Sequence, residues 1–307
     1  MPPVLAGSDP LRHGFAATPP LGHQGEALAP AAIGAGIMIK EESTVFHRVI
    51  MGNLEYSVAD SLAGVSHGFS TRLGGVSTGH LASLNLGHHR GDDPEHVLEN
   101  YRILGRAIGF TPEDTVFPMQ HHTDIIRLVT EAQRGEGLFR ETAQVCDGQI
   151  TDRPGVALVA FSADCTPVLL YDPVRRAIGA VHAGWRGTAA GIAAKAVAAM
   201  TDAFGCRPED IRAAIGPCIG KCCFETDADV PEAMVSALGE KARPAIEARG
   251  EKFHVDLKAI NALWLREAGV TAIDISPDCT ACDPARYWSH RRVGDRRGSL
   301  AGIIVLK

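Results

Sequence analysis

Three short segments of this 307-residue chain concentrate side chains able to do chemistry. They are Gln120-His121-His122, Ser162-Ala163-Asp164-Cys165-Thr166-Pro167 and His182-Ala183-Gly184-Trp185-Arg186-Gly187. A thiolate and neutral imidazoles are borderline-soft donors suited to Zn2+. Cys165 and His182 each follow an apolar run that reads as a strand, and adjacent strands lie about 5 Å apart, so the two side chains can converge on one ion. Three protein ligands leave a fourth position for water or substrate, as in catalytic zinc sites. Gly184 and Gly187 permit a tight turn into a helix whose N-terminus, with Arg186 beside it, can receive an anion. Spacing alone keeps other readings open. A lone buried His or Cys is usually a packed core residue. A Cys165–His182 pair also has the composition of a nucleophile and its base, which would make a cysteine hydrolase acting on amides such as those of cell-wall precursors.

The elements around these segments can be read from pattern. Val156–Phe161 and Val168–Tyr171 are short apolar runs, Asp172-Pro173 is a turn signal, and Ala177–Val181 and Leu300–Leu306 complete a set of strands. Asp93-Pro94 caps a helix that places Val97, Tyr101, Leu104 and Ile108 on one face and stops at Gly109. An Ala-rich helix is expected from Thr188 to Phe204, and another after the Asp256 cap as far as Gly269. Short strands and helices without a strict βαβ rhythm predict a layered α/β domain, with mixed β-sheets flanked by helices. Residues 1–42, rich in Pro, Ala and Gly, read as a flexible N-terminal extension, and residues 43–307 as a single catalytic domain.

Composition removes several function classes. A net charge of −6 gives no electrostatic support for nucleic-acid binding. Eight cysteines in a chain of this length do not make a disulfide scaffold. The most apolar stretch, Val156–Tyr171, carries Asp164 and Pro167 and is too short to span a bilayer. The expectation is a soluble, cytoplasmic protein that takes a small-molecule substrate and works as a monomer or weak homo-oligomer. A nucleic-acid deaminase would need His-x-Glu, which is absent. Multicopper oxidation would need His-x-His elements, and there are none.

Further segments are His67-Gly68-Phe69-Ser70-Thr71-Arg72-Leu73-Gly74-Gly75, Ser83-Leu84-Asn85-Leu86, Gly91-Asp92-Asp93, Ile215-Gly216-Pro217-Cys218, and Cys279-Thr280 with Ser289-His290-Arg291-Arg292. Together with the three reactive segments, and in this order, they resemble the YfiH family, also labelled polyphenol oxidase, laccase-domain protein or purine nucleoside phosphorylase. The resemblance runs from about Gly64 to the C-terminus. It implies a YfiH-like layered fold and a metal held by His122, Cys165 and His182, which would also carry the catalysis. It further implies phosphorolysis: a purine nucleoside (adenosine, inosine, guanosine or S-methyl-5'-thioadenosine) plus inorganic phosphate gives base plus pentose 1-phosphate, with some adenosine deamination. A zinc ion there would bring a bound water toward neutrality in pKa.

Four residues are then candidates for substrate contact: Arg72 for phosphate or sugar, Asn85 for a hydrogen bond, Asp164 as a carboxylate that orients a ligand, and Arg186 at the helix start. Arg72 is as readily a surface Arg near a turn, and Asn85 a local backbone cap. A non-catalytic binding protein with a zinc-stabilised fold is a third class. Other motifs read as structural. Cys279-x-x-Cys282 is half a zinc-ribbon spacing, but adjacent Cys222-Cys223 make poor tetrahedral partners, so packed cysteines are expected. His88-His89 reads as a polar loop. The Arg-rich stretch from Arg286 to Arg297 has the composition to grip phosphate, but a solvated loop before the final strand is the preferred reading.

Overall fold

A computed structural model describes residues 37–41, 45–142 and 144–307. The expected extension falls mostly outside the described residues. Within it, Ile37–Glu41 forms a strand paired antiparallel to Phe46–Met51, so regular structure begins earlier than residue 43.

Two sheets stack face to face. One has seven strands, in the order Ile37–Glu41, Phe46–Met51, Leu54–Ala59, Ser66–Ser70, Leu300–Val305, Ala157–Ser162 and Thr115–Val116. The other has six: Ala272–Ile275, Arg212–Ile215, Thr166–Asp172, Ala177–Ala183, Gly148–Thr151 and Ile126–Leu128. Both mix parallel and antiparallel pairs.

Period-two alternation explains the layering. Leu158, Ala160 and Ile304 of the first sheet meet Leu169, Tyr171, Ile178 and Ala180 of the second. On the outer face of the first sheet, Val159, Ile303 and Val305 pack against Val97, Tyr101 and Leu104 of the helix Pro94–Ile108. On the outer face of the second, Val168, Leu170 and Val181 pack against the helices Ile192–Phe204 and Leu257–Glu267. Strands covered on both faces must be apolar throughout, which is why they appear in the sequence as unbroken runs.

The helix caps follow the expected chemistry. Asp93 accepts the Glu95 N–H, and Gly109 takes φ 101° at the other end. The expected helix Thr188–Phe204 is instead two helices, Trp185–Ala189 and Ile192–Phe204. Gly191 separates them at φ 73°, where a Cβ would stand 3.2 Å from the Trp264 ring. The Trp264 indole donates to the Thr188 carbonyl at 2.8 Å and fixes that break.

A smaller unit of structure lies between Gly216 and the second sheet's edge strand Ala272–Ile275. It contains the helix Asp229–Leu238 and a three-stranded sheet. Ile219, Val230, Met234 and Val255 form its apolar cluster, which Ala281 from beyond the edge strand completes and Trp185 packs against.

Candidate metal centre and active site

The turn Ala163-Asp164-Cys165 carries the chain from the first sheet to the second, between Ala157–Ser162 and Thr166–Asp172. His182 pairs with Pro167 near the end of Ala177–Ala183, inside the strand rather than past its end. Because these two strands are antiparallel neighbours, the C-terminal end of one lies beside the N-terminal end of the other. Cys165 and His182 are therefore brought together by the hairpin itself. His122 arrives from the loop before Ile126–Leu128. One ligand atom from each of His122, Cys165 and His182 lies within 4.8 Å of the other two. The imidazole centroids are 4.9 Å apart, inclined at 65°.

Asp147 holds this geometry. It is fully buried just before Gly148–Thr151, and its Oδ1 lies 2.8 Å from His182 Nδ1. That contact leaves His182 Nε2 for the centre. The same carboxylate accepts the backbone N–H groups of His121, His122 and Thr123 and the Thr123 hydroxyl. One side chain thus orients both His-bearing segments. Burial pushes the Asp147 carboxyl up, but the hydrogen bonds from His182 and Thr123 outweigh it and bring the pKa to about 2. Burial pulls His182 down, but Cys165 and Asp147 outweigh it and raise its pKa to about 9. Without a metal, this pocket favours a proton on His182, and a divalent cation would replace that proton.

The backbone is shaped for the same purpose. His122 adopts φ 59°, an uncommon conformation for a residue with a side chain, and its N–H on Asp147 holds it there. Gly184 lies so close to His122 Nδ1 that a Cβ there would collide with the ring, and it would also come within 3.4 Å of Cys165 Sγ. Gln120, expected only as a motif residue, exchanges two hydrogen bonds with the Phe161 backbone and anchors the loop to the first sheet.

His122, Cys165 and His182 form part of the wall of a cavity of about 800 Å3. Met119, Phe139 and Phe161 supply apolar wall, and Arg90, Arg140 and Arg297 supply cationic groups. His88 and His89 also line it, so the expected polar loop faces the cavity. Their rings are 3.8 Å apart, and burial followed by the His89 charge lowers the His88 pKa to about 4.

None of the four residues expected to contact substrate is among those lining the cavity, although the Arg186 charge reaches His122. Arg72 donates to the Ala82 and Pro284 carbonyls through three of its N–H groups and stacks 3.7 Å from the Trp288 ring centroid, which ties it to loop structure. Asn85 is buried and bonded to Gly87, Asp92 and Ser299, the local cap weighed above. Asp164 binds the Thr280 and Ser289 hydroxyls and the Arg291 N–H, so it organises a loop, and the orienting carboxylate is Asp147. Arg186 is exposed and stacks on Trp185 outside the cavity lining.

The Arg-rich stretch is also more structured than expected. Arg286 pairs with Glu55, Arg291 donates to the Cys223 and Glu225 carbonyls, and Arg292 donates to Ala281. Arg297 reaches the cavity. Asp147 carries no periodic or motif signal, and the tertiary contact alone reveals it, whereas Arg297 belongs to the stretch for which a phosphate grip is the alternative to a solvated loop.

Residues 66–307 match the family model described as multi-copper polyphenol oxidoreductase laccase. The chain is 39% identical over 251 residues to the purine nucleoside phosphorylase YlmD of Geobacillus stearothermophilus, covering 80% of this chain and 92% of that one. The chain belongs to the YfiH family. Another member, the purine nucleoside phosphorylase YfiH of Shigella flexneri, is 36% identical, with 79% of this chain and 94% of that one covered. The crystal structure of a YfiH protein from Bacillus licheniformis superposes with a TM-score of 0.79 at 34% identity, covering 88% of this chain and 99% of that one. The layered mixed-sheet architecture is thus the YfiH family's. Among the described residues, no helix is long and apolar enough to cross a membrane.

Proposed function

We propose that this chain is a zinc-dependent purine nucleoside phosphorylase, converting adenosine, inosine, guanosine or S-methyl-5'-thioadenosine and phosphate to base and pentose 1-phosphate. Adenosine deamination is a second activity of the same site. The observation that carries the reading is the convergence of three soft donors from three separate segments at the wall of a nucleoside-sized cavity. The relatives named purine nucleoside phosphorylase support the substrate class. The catalytic unit runs from the strand Ile37–Glu41 to the C-terminus.

His122, Cys165 and His182 fit a zinc ion in donor type, number and spacing, with His182 oriented by a carboxylate behind it. Bound there, zinc would supply Lewis acidity and a fourth coordination position facing the cavity. Phosphorolysis also needs an anion held near the sugar. Arg297 is suited to that task. Its Nε is buried with no hydrogen-bond partner among the described residues, and its pKa falls to about 10 through burial and then the Arg90 charge. Two neighbouring guanidinium groups with an unspent donor favour a bound dianion. In the reaction, a phosphate oxygen bonds to C1' of the sugar as the C1'–N bond breaks. The bond's electron pair leaves with the base, which takes the proton that hydrogen phosphate gives up on forming the ester. Met119, Phe139 and Phe161 offer the base an apolar wall, and a neutral His88 offers a hydrogen bond.

Adenosine incubated with and without phosphate tests this directly. Adenine that appears only with phosphate supports phosphorolysis, and inosine that appears without phosphate supports deamination. If neither product forms with wild type, the reading fails.

A second reading has one observation in its favour. Asp147, His182 and Cys165 stand in the order orienter, base, nucleophile. Metal analysis separates the two. A zinc content that falls by about one ion per chain in Cys165→Ser supports the metal site, whereas a zinc content unchanged by Cys165→Ser, in an enzyme killed by alkylation of that thiol, supports the cysteine hydrolase.

A further inference from the structure

We infer that Cys222, Cys223, Cys279 and Cys282 form a second metal site, a closed four-thiolate site for one structural zinc ion. It is separate from the cavity and shares none of the cavity's metal-binding side chains. One Sγ from each of the four cysteines lies within 4.8 Å of the others. Cys282 Sγ is 3.4 Å from both Cys222 Sγ and Cys223 Sγ. A sulfur shared between two others is the arrangement of a cluster, because a disulfide would pair it with one and leave the other aside. A zinc–sulfur bond of about 2.3 Å places tetrahedral thiolates about 3.8 Å apart. The separations here bracket that value, so one small ion can draw the four together.

Sequence distance hides this site. Cys222-Cys223 and Cys279–Cys282 stand more than fifty residues apart, and neighbouring cysteines usually point away from each other. The fold removes both objections. Gly220, Lys221, Cys222 and Cys223 form a turn closed by the Cys223 N–H on the Gly220 carbonyl at 2.9 Å. A parallel bridge joins Cys218 to Cys279, and Thr280 N–H donates to the Cys218 carbonyl at 3.0 Å. The Gly220 N–H points at Cys279 Sγ at 3.1 Å, as backbone donors do around metal-bound thiolates. A side chain at Gly220 would stand 3.2 Å from both Cys222 Sγ and Cys279 Cβ, so the close approach is built in. Four thiolates on one divalent ion leave a net negative charge. Arg291, whose guanidinium donates to the Cys223 and Glu225 carbonyls, lies beside it.

Four protein donors leave no position for substrate, so the role is structural. The ion would staple the Gly220–Phe224 turn to the segment that opens the Arg-rich loop. That loop ends at Arg297 in the cavity.

The test uses the full chain carrying Cys165→Ser, so that the cavity group contributes no thiolate. Cobalt(II) added to this protein, stripped of metal under reductant, is expected to give intense thiolate-to-cobalt charge-transfer bands with tetrahedral ligand-field bands. Adding Cys279→Ser should remove them. Adding Cys222→Ser, at an exposed position that leaves the fold intact, should weaken and shift them. In parallel, zinc is counted on freshly purified Cys165→Ser protein. The count is expected to fall by about one ion per chain with Cys279→Ser and Cys282→Ser. Charge-transfer bands absent from the Cys165→Ser chain, or a zinc count unchanged by the two cluster substitutions, would overturn the proposal. So would an intact mass short of two hydrogens per cysteine pair in protein purified under reductant, because that means disulfides. None of these outcomes depends on whether the cavity binds zinc or turns over nucleosides.

Discussion

The two groups of soft donors in this fold contrast in every respect that decides what a metal does. At the cavity, three donors converge from three segments, backed by the buried carboxylate of Asp147 and opening onto about 800 Å3 of space. At the cluster, four sulfurs converge from two turns, with Cys222 and Cys282 exposed and backbone N–H groups in place of a carboxylate. Three donors and an open side suit chemistry, whereas four donors and a closed shell suit fastening. The energetic signatures should divide the same way. Damage to the first group should appear in rate, and damage to the second in stability.

The sharpest way to break that contrast is to remove a cavity ligand. Cys165→Ser or His122→Ala should lower phosphorolysis roughly a thousandfold, equivalent to about 4 kcal/mol of lost transition-state stabilisation. The thermal midpoint should change little, because His122 is exposed and Cys165 is at a turn. Steady-state kinetics and a melting curve on the same protein check both halves. A large loss of midpoint with retained kcat would reverse the assignment of the two groups.

Cys279→Ser with Cys282→Ser should do the opposite. A structural ion worth about 3 kcal/mol corresponds to a fall of about 5–10 °C in melting temperature for a domain of this size. At low temperature kcat should stay close to wild type. Melting followed with and without added zinc reads the effect. An unchanged midpoint would leave the cluster with no fastening role.

Much of this was legible from the sequence, for reasons that differ by region. Strands such as Val156–Phe161 could be read because both faces are covered, so no polar residue interrupts them. The helix Pro94–Ile108 could be read because its cap, its face and its stop each use a different residue type. The break at Gly191 was hidden inside an Ala-rich run, because what forces it is Trp264, over seventy residues away. His122, Cys165 and His182 could be named from the family resemblance, but not the carboxylate behind them. A lone Asp before a strand has no distinguishing pattern, and Asp164 was the more conspicuous choice. The cysteine cluster was set aside on a correct local rule about adjacent side chains. A turn at Gly220 and a bridge to Cys279 override that rule.

A finer comparison concerns the groups behind the ligands. Asp147→Asn keeps the shape but removes the charge that orients His182, and should cost about 10–100-fold in metal affinity or activity. Arg297→Met should act on the co-substrate instead. Losing a charge-assisted hydrogen bond worth about 2 kcal/mol should raise the KM for phosphate about thirtyfold, with the nucleoside KM and zinc content unchanged. Zinc lost with Arg297→Met would place that arginine among the metal's supports. An unchanged phosphate KM would remove it from the anion site.

The smallest effect separates the two regions by pH, through His88 of the cavity wall. Burial, followed by the His89 charge, lowers its pKa from 6.5 to about 4 in the folded chain. Between those two values the unfolded chain binds the proton and the folded chain does not, so stability falls as pH drops from about 6.5 toward 4. Above pH 6.5 both states are neutral at this ring, and it contributes no pH dependence there. The full shift overstates the effect, because the ring partly faces the cavity, where water screens it. The discounted contribution is about 1 kcal/mol. His88→Gln removes the titrating group and should flatten the stability profile by that amount in this window alone. Urea unfolding of metal-stripped protein at pH 4.5 and 7.5 measures it. Equal losses for wild type and variant would show that the imidazole takes up its proton as readily in the fold as outside it, and the cavity wall there would be far wetter than the packing against Phe117 implies.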